Sequence, residues 1–196
     1  MHRDTTKFKY NMKINSLIIA KDVIEFPIEL LELIASPDFY QQYPGRADYR
    51  PAYNNFENHR LTAEETAFHK KINEFYQPIV QDFMKSINQE AYSKYNWNWW
   101  WNVYTPKSNH YQTHQHVTST GLFGFSWVHF VQPVARKNLF AWTNPDNTLT
   151  LHKEVQNQII FFPNWAYHQV KANTSNQTRI TLSGNIDITT TTINYL

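Results

Sequence analysis

From Trp97 onward the chain changes period, and that change limits its possible folds more than any other feature. Trp97, Trp99, Trp101 and Val103 alternate with Asn98, Trp100, Asn102 and Tyr104. A period of two sends successive side chains to opposite faces, as in a strand. Further short runs follow at 121–131, 139–142, 148–151, 158–162, 168–170 and 179–188, separated by Pro, Asn and Gly. Seven or eight short strands with turn signals between them predict an all-β sandwich or barrel. The Thr-rich tail at 188–193 reads as an edge strand or a frayed end.

The first half reads differently. Residues 13–24 are rich in β-branched side chains and predict a strand, and Pro27 then opens a short helix over 28–35 that Pro37 ends. Residues 38–60 carry Tyr, Asn, Pro and Gly without periodicity and read as an irregular loop. A long helix follows, capped near Thr62, with Glu64 and Glu65 in its first turn and Phe68, Ile72, Phe75, Ile79, Phe83 and Ile87 on one face. Pro78 inside it predicts a kink. The whole is expected to be one domain over 1–196: an N-terminal strand and supporting helices at 1–95, and a β core at 96–190.

At 196 residues, 41% hydrophobic and 16% aromatic, the chain can bury a sizeable core. Its formal net charge of +2 has no basic cluster denser than Arg136-Lys137, so nucleic acid is not the expected partner. No apolar run reaches the roughly 18 residues of a membrane span, and a cytoplasmic protein is the expectation. With no cysteine, thiolate metal sites, Cys nucleophiles and disulfides are all excluded. Any metal must be held by His and carboxylate. The sequons at Asn173 and Asn176 read as turn chemistry rather than glycosylation sites.

Histidine supplies the chemistry. The run His110-Tyr-Gln-Thr-His114-Gln-His116 places three imidazoles within seven residues. On a strand His114 and His116 leave the same face, where both can reach one ion at about 2.0–2.2 Å. Pro106 to Asn109 reads as a turn, which leaves His110 at the strand's mouth. His168 follows the most apolar strand of the chain, Ile159-Ile-Phe-Phe-Pro163, and Arg179 lies eleven residues beyond it. A lone His on a strand is more often core or surface than ligand; the ordered set, rather than any single member, points to a metal site.

That ordered set resembles the 2-oxoglutarate- and Fe(II)-dependent oxygenases, specifically the small prolyl-hydroxylase-like members of bacteria and phages. The resemblance spans about residues 97–186. It implies a mainly β fold with N-terminal helices and a double-stranded β-helix core of the jelly-roll or cupin type. It also implies Fe(II), 2-oxoglutarate as cosubstrate, and O2. His114-Gln-His116 stands where the family has His-x-Asp, His168 at the distal His, and Arg179-Ile-Thr-Leu-Ser183 at the Arg-x-Ser/Thr strand that holds the far carboxylate of 2-oxoglutarate. Thr181 and Ser183 share that strand's face, and Tyr104 matches the place of a cosubstrate-binding tyrosine. Trp127, His129, Trp142 and Trp165, with His110, are candidate pocket residues, each also readable as ordinary core.

The departure from the family is His116, which stands where most members have Asp; no Asp or Glu occurs between Glu90 and Asp146. Non-haem Fe(II) oxygenases ordinarily use two His and one carboxylate. Three readings remain open: an all-His site of His114, His116 and His168; a site in which His110 replaces one of them; or a degenerate site on a retained fold. The corresponding functions are a 2-oxoglutarate-dependent hydroxylase of a small-molecule or peptidyl substrate, a three-His cupin-type dioxygenase that does not use 2-oxoglutarate, and a non-catalytic β-sandwich binding module. The last is motivated by the Trp97-Asn-Trp-Trp-Trp101 run, which looks exposed and suited to carbohydrate.

Overall fold

The computed structural model describes residues 17–41, 52–54, 63–87, 93–108, 111–117 and 124–191. In chain order these form β1 (Ala20–Val23), α1 (Ile28–Ala35), α2 (Pro37–Tyr40), β2 (Ala52–Asn54), α3 (Ala63–Ser86), β3 (Ser93–Tyr104) and β4 (Tyr111–His114). They continue as β5 (Gly124–Gln132), β6 (Phe140–Thr143), β7 (Leu149–Leu151), β8 (Gln158–Pro163), β9 (His168–Val170) and β10 (Arg179–Thr191). The strands make a six-stranded sheet in the order β1-β8-β5-β10-β3-β2 and a four-stranded sheet in the order β4-β9-β6-β7. Every pairing is antiparallel.

Period two decides which side of the large sheet each residue serves. Trp101 and Val103 of β3, Ile159 and Phe161 of β8, and Ile180, Leu182 and Ile186 of β10 face the helices. They pack there on Leu30 and Ile34 of α1 and on Phe68, Ile72, Ile79 and Phe83 of α3, the expected apolar stripes. Phe83 stacks on Phe161 with centroids 4.1 Å apart. The alternate residues, Tyr104, Val128, Phe130, Ile160 and Phe162, meet Phe140, Trp142 and Val170 of the small sheet. Helices therefore cover one face of the large sheet and the small sheet covers the other, each layer burying the apolar face its neighbour presents.

Some expectations need correction. Residues 38–60 are not irregular throughout: Pro37 occupies the first turn of α2, and β2 adds an edge strand to β3. Both elements are too short to leave a periodic signal. The helix α3 continues through Pro78. The Trp97–Trp101 run is no exposed platform, because Trp100 and Trp101 are buried and Trp97 and Trp99 are half-buried against the helix-side core. Trp99 also donates its indole N–H to Asn73 Oδ1 at 2.6 Å.

Asn173 is buried, and its amide donates to the carbonyls of Tyr104, Thr105 and Gln177 while Oδ1 accepts from Ser175. It pins the β9–β10 turn onto the end of β3, which is turn chemistry as expected. Among the described residues no helix is long and apolar enough to cross a membrane.

Candidate metal centre

The small sheet builds the site. His114 on β4 is the direct cross-strand partner of His168 on β9, and His168 is in turn the partner of Trp142 on β6. Directly opposed residues in antiparallel strands project to one face, so the first two imidazoles meet there. Their centroids are 4.3 Å apart.

His116 is not on the strand: β4 ends at His114, and the backbone N–H of His116 donates to Asn164 O at 2.8 Å. It reaches the same point because the β8–β9 turn holds its backbone. One potential ligand nitrogen from each of the three residues lies within 4.8 Å of the others. The Nε2 atoms of His116 and His168 are 3.2 Å apart. Two nitrogens each about 2.1 Å from one ion, at angles between octahedral and tetrahedral, lie about 3.0–3.4 Å apart.

Hydrogen bonds behind two of the rings fix their orientation. His168 Nδ1–H donates to Ala166 O at 2.9 Å and His114 Nδ1–H to Gln112 O at 2.8 Å. Each bond sets the proton on Nδ1 and the lone pair on Nε2, the tautomer that a metal needs. Burial lowers the pKa of all three imidazoles. His116 falls to about 3 through burial and then repulsion by His114; His168 falls well below the usual value through burial, then His114 and His116. His114 falls by burial against the opposing pull of the Gln112 carbonyl. Neutral imidazoles at pH 7 are the form that binds metal.

A donor set of three imidazoles suits Zn, Cu, Fe or Ni. Among the described residues no carboxylate joins the cluster.

The cavity behind the histidines, about 300 Å³, lies between the sheets. Its far wall is the polar row of the large sheet: Tyr104, Asn102 and Trp100 of β3 stand opposite Arg179, Thr181 and Ser183 of β10 in register. The candidate cosubstrate residues Tyr104, Arg179, Thr181 and Ser183 thus line one cavity with the three histidines. Asn102 Nδ2 lies 3.5 Å from Thr181 Oγ1 and 3.4 Å from Ser183 Oγ.

Arg179 is fully buried under the rings of Tyr104 and Phe130, 5.1 and 5.7 Å from their centroids. It is not alone there. Nε donates to Glu154 Oε2 at 2.9 Å and Nη2 to Oε1 at 3.1 Å, while Nη1 has no hydrogen-bond partner. Glu154 escaped the sequence reading because it sits between strands without periodicity. A signal was available: a buried Arg needs a counter-charge, and after residue 97 the only acids are Asp146, Glu154 and Asp187.

The remaining pocket candidates divide. Trp127 borders the cavity, yet its indole packs on Tyr76 of α3 with centroids 4.5 Å apart. His129 is not a wall residue: it sits in the helix-side core, where Nδ1 accepts from Tyr76 Oη at 2.8 Å and Nε2–H donates to Ile24 O and Asn157 O. Alternation explains the correction, since His129 stands opposite Leu182 of β10, which faces the helices. Trp165 is 53% exposed and, with the buried Trp142, lines a separate groove of about 950 Å³ rather than the metal cavity. His110 lies outside the described residues.

By sequence, no family model and no curated protein matches the chain. By structure it is similar to a Pseudomonas putida prolyl-4-hydroxylase, with a TM-score of 0.58, 11% identity, and coverage of 85% of this chain and 90% of that one. A prolyl hydroxylase from Trichoplax adhaerens, solved with a hypoxia inducible factor peptide fragment, gives 0.58 and 10%, covering 85% and 83%. An oxidoreductase of the 2OG-Fe(II) oxygenase family from Burkholderia pseudomallei gives 0.57 and 14%, covering 82% and 78%. At these identities the likeness is one of fold, and with its two stacked antiparallel sheets and helices on the outer face the chain has the double-stranded β-helix fold of the prolyl-hydroxylase-like 2-oxoglutarate- and Fe(II)-dependent oxygenases.

Proposed function

We propose that this protein is a 2-oxoglutarate- and Fe(II)-dependent oxygenase that hydroxylates a C–H bond of a small-molecule or peptidyl substrate. One observation carries the reading: three imidazoles, two of them held in the metal-binding tautomer, converge on a cavity between the sheets, and a buried arginine with an unpartnered Nη1 lines the same cavity.

In this reading His114, His116 and His168 hold the iron. Arg179 receives the far carboxylate of 2-oxoglutarate through a charge-assisted contact, and Tyr104, Thr181 and Ser183 offer it hydroxyls. Bound iron with 2-oxoglutarate and O2 supplies the oxidising power, releasing CO2 and succinate as the substrate is hydroxylated. The chain's own task is to orient the ligands and keep the cavity dry, which the apolar side chains of Phe140, Phe162 and Val128 serve. The peptide seen with the Trichoplax relative belongs to that protein and supports a peptidyl substrate here by analogy alone.

The test is spectroscopic and chemical. Anaerobic Fe(II) protein titrated with 2-oxoglutarate should develop a weak visible charge-transfer band, and adding O2 should yield succinate. Both should disappear in His168→Ala. A second reading, a three-His dioxygenase working without 2-oxoglutarate, is favoured by the missing carboxylate and by the partner Arg179 already has. Metal-dependent O2 uptake without succinate, unaffected by Arg179→Ala, would select it.

A further inference from the structure

Glu154 has no role in holding metal or cosubstrate in the reading above, yet its side chain is held by several hydrogen bonds. It is fully buried, and Oε1 accepts the backbone N–H groups of Leu139 at 2.9 Å and Phe140 at 2.6 Å as well as Arg179 Nη2. Its own N–H donates to Asn138 Oδ1 at 3.1 Å. The small sheet therefore fixes this carboxylate independently of Arg179, and the carboxylate then takes the Nε/Nη2 edge of the guanidinium. Nη1 is the nitrogen that no protein group uses.

We propose that Glu154 is a positioning and specificity residue for the cosubstrate anchor. It fixes the orientation of Arg179 with Nη1 left over for a ligand in the cavity, and it cancels most of the charge that this anchor would otherwise present. The proposal rests on the oxygenase reading.

Two consequences follow from charge and shape. A planar guanidinium gripped along one edge cannot rotate, so its remaining donors keep a fixed direction and discriminate by hydrogen-bond geometry. The pair is neutral as a whole, so a ligand carboxylate gains much less over a neutral acceptor than it would from a lone buried cation. Two unit charges about 5 Å apart in a partly buried site interact strongly enough to change a binding constant by well over tenfold. The site should therefore favour 2-oxoglutarate over its C5 monoamide, which is neutral at that end, only modestly.

The experiment measures binding of 2-oxoglutarate and of its C5 monoamide to Mn(II)-loaded full-length protein by anaerobic calorimetry. Wild type is expected to prefer 2-oxoglutarate by less than about tenfold. Glu154→Gln, which keeps the shape and removes the charge, should raise that preference at least tenfold. Glu154→Asp keeps the charge but withdraws the carboxylate by one methylene. It should weaken both ligands tenfold or more and leave their ratio unchanged. A role confined to structure would lower the melting temperature of both variants and move neither the ratio nor the affinities in these directions; that result overturns the proposal. If Glu154→Gln does not fold, wild-type affinities retained in Glu154→Asp overturn it on their own. No binding of 2-oxoglutarate to wild type sinks the oxygenase reading together with this one, whereas binding with an unmoved ratio in Glu154→Gln sinks only the role of Glu154.

Discussion

His116 Nε2 stands 3.2 Å from His168 Nε2, although the two residues are 52 positions apart and His116 lies beyond the end of its strand. Two ring nitrogens at that distance share one proton or one ion. One equivalent of Co(II) or Fe(II) per chain is therefore expected, with His168→Ala losing on the order of a hundredfold in metal affinity. Equilibrium dialysis decides it: unchanged affinity in that variant would remove the site.

Charge makes a second prediction. Three imidazoles leave the full charge of a divalent ion uncompensated, and Arg179 and Glu154 cancel each other nearby. A partly buried cation needs an anion, so metal and 2-oxoglutarate should each tighten the other's binding by the same factor, about tenfold or more. His116→Asp places the carboxylate inside the ligand set; it should strengthen metal binding alone and shrink the coupling. Mn(II) affinities with and without 2-oxoglutarate, indifferent to each other in wild type, would contradict this.

How far the sequence was legible follows from which signals are periodic. Alternation in 97–104, 158–162 and 179–186 identified the strands; the family resemblance pointed to Tyr104 and Arg179, and period two placed Thr181 and Ser183 on the face of Arg179. The helix stripe from Phe68 to Phe83 was equally plain. What escaped lies where no period operates. His116 is placed by a carbonyl of a distant turn, and β2 is three residues long. Glu154 meets Arg179 by a side-chain contact across 25 positions, from a connection between strands that carries no period. His129 was misplaced for another reason: alternation gives two faces to a strand but does not label which one meets the cavity.

His129 gives a prediction in acid. Burial lowers its pKa from 6.5 to about 4 despite the carbonyls of Ile24 and Asn157, which pull the other way. Between about pH 4 and 6.5 the unfolded chain binds a proton at this position that the native chain does not. Stability must therefore rise with pH across that window, complete above 6.5 and lost as pH falls to about 4, by roughly 2–4 kcal/mol from this residue. His129→Gln should be less stable at neutral pH yet show a pH slope smaller by one proton. Denaturant unfolding at several pH values measures it, and an equal slope in the variant would refute the assignment.

Gly184 and Trp127 give the last prediction. Gly184 lies on the helix-side face of β10, where a Cβ would stand 2.5 Å from indole atoms of Trp127 and closer still to the carbonyl of Asn98. Asn98 belongs to the adjoining strand β3, and its carbonyl is fixed by the ladder. Trp127 is itself fully buried against Tyr76. Neither neighbour has room to withdraw, so Gly184→Ala should cost about 2 kcal/mol or more, within the range of overpacked cores. Because Gly184 and Trp127 both border the metal cavity, the strain should also reach ligand binding. The variant is expected to unfold at lower denaturant than wild type and to bind Co(II) in a visibly altered coordination spectrum. A variant with wild-type stability would mean that β10 and β3 separate more easily here than their continuous pairing indicates.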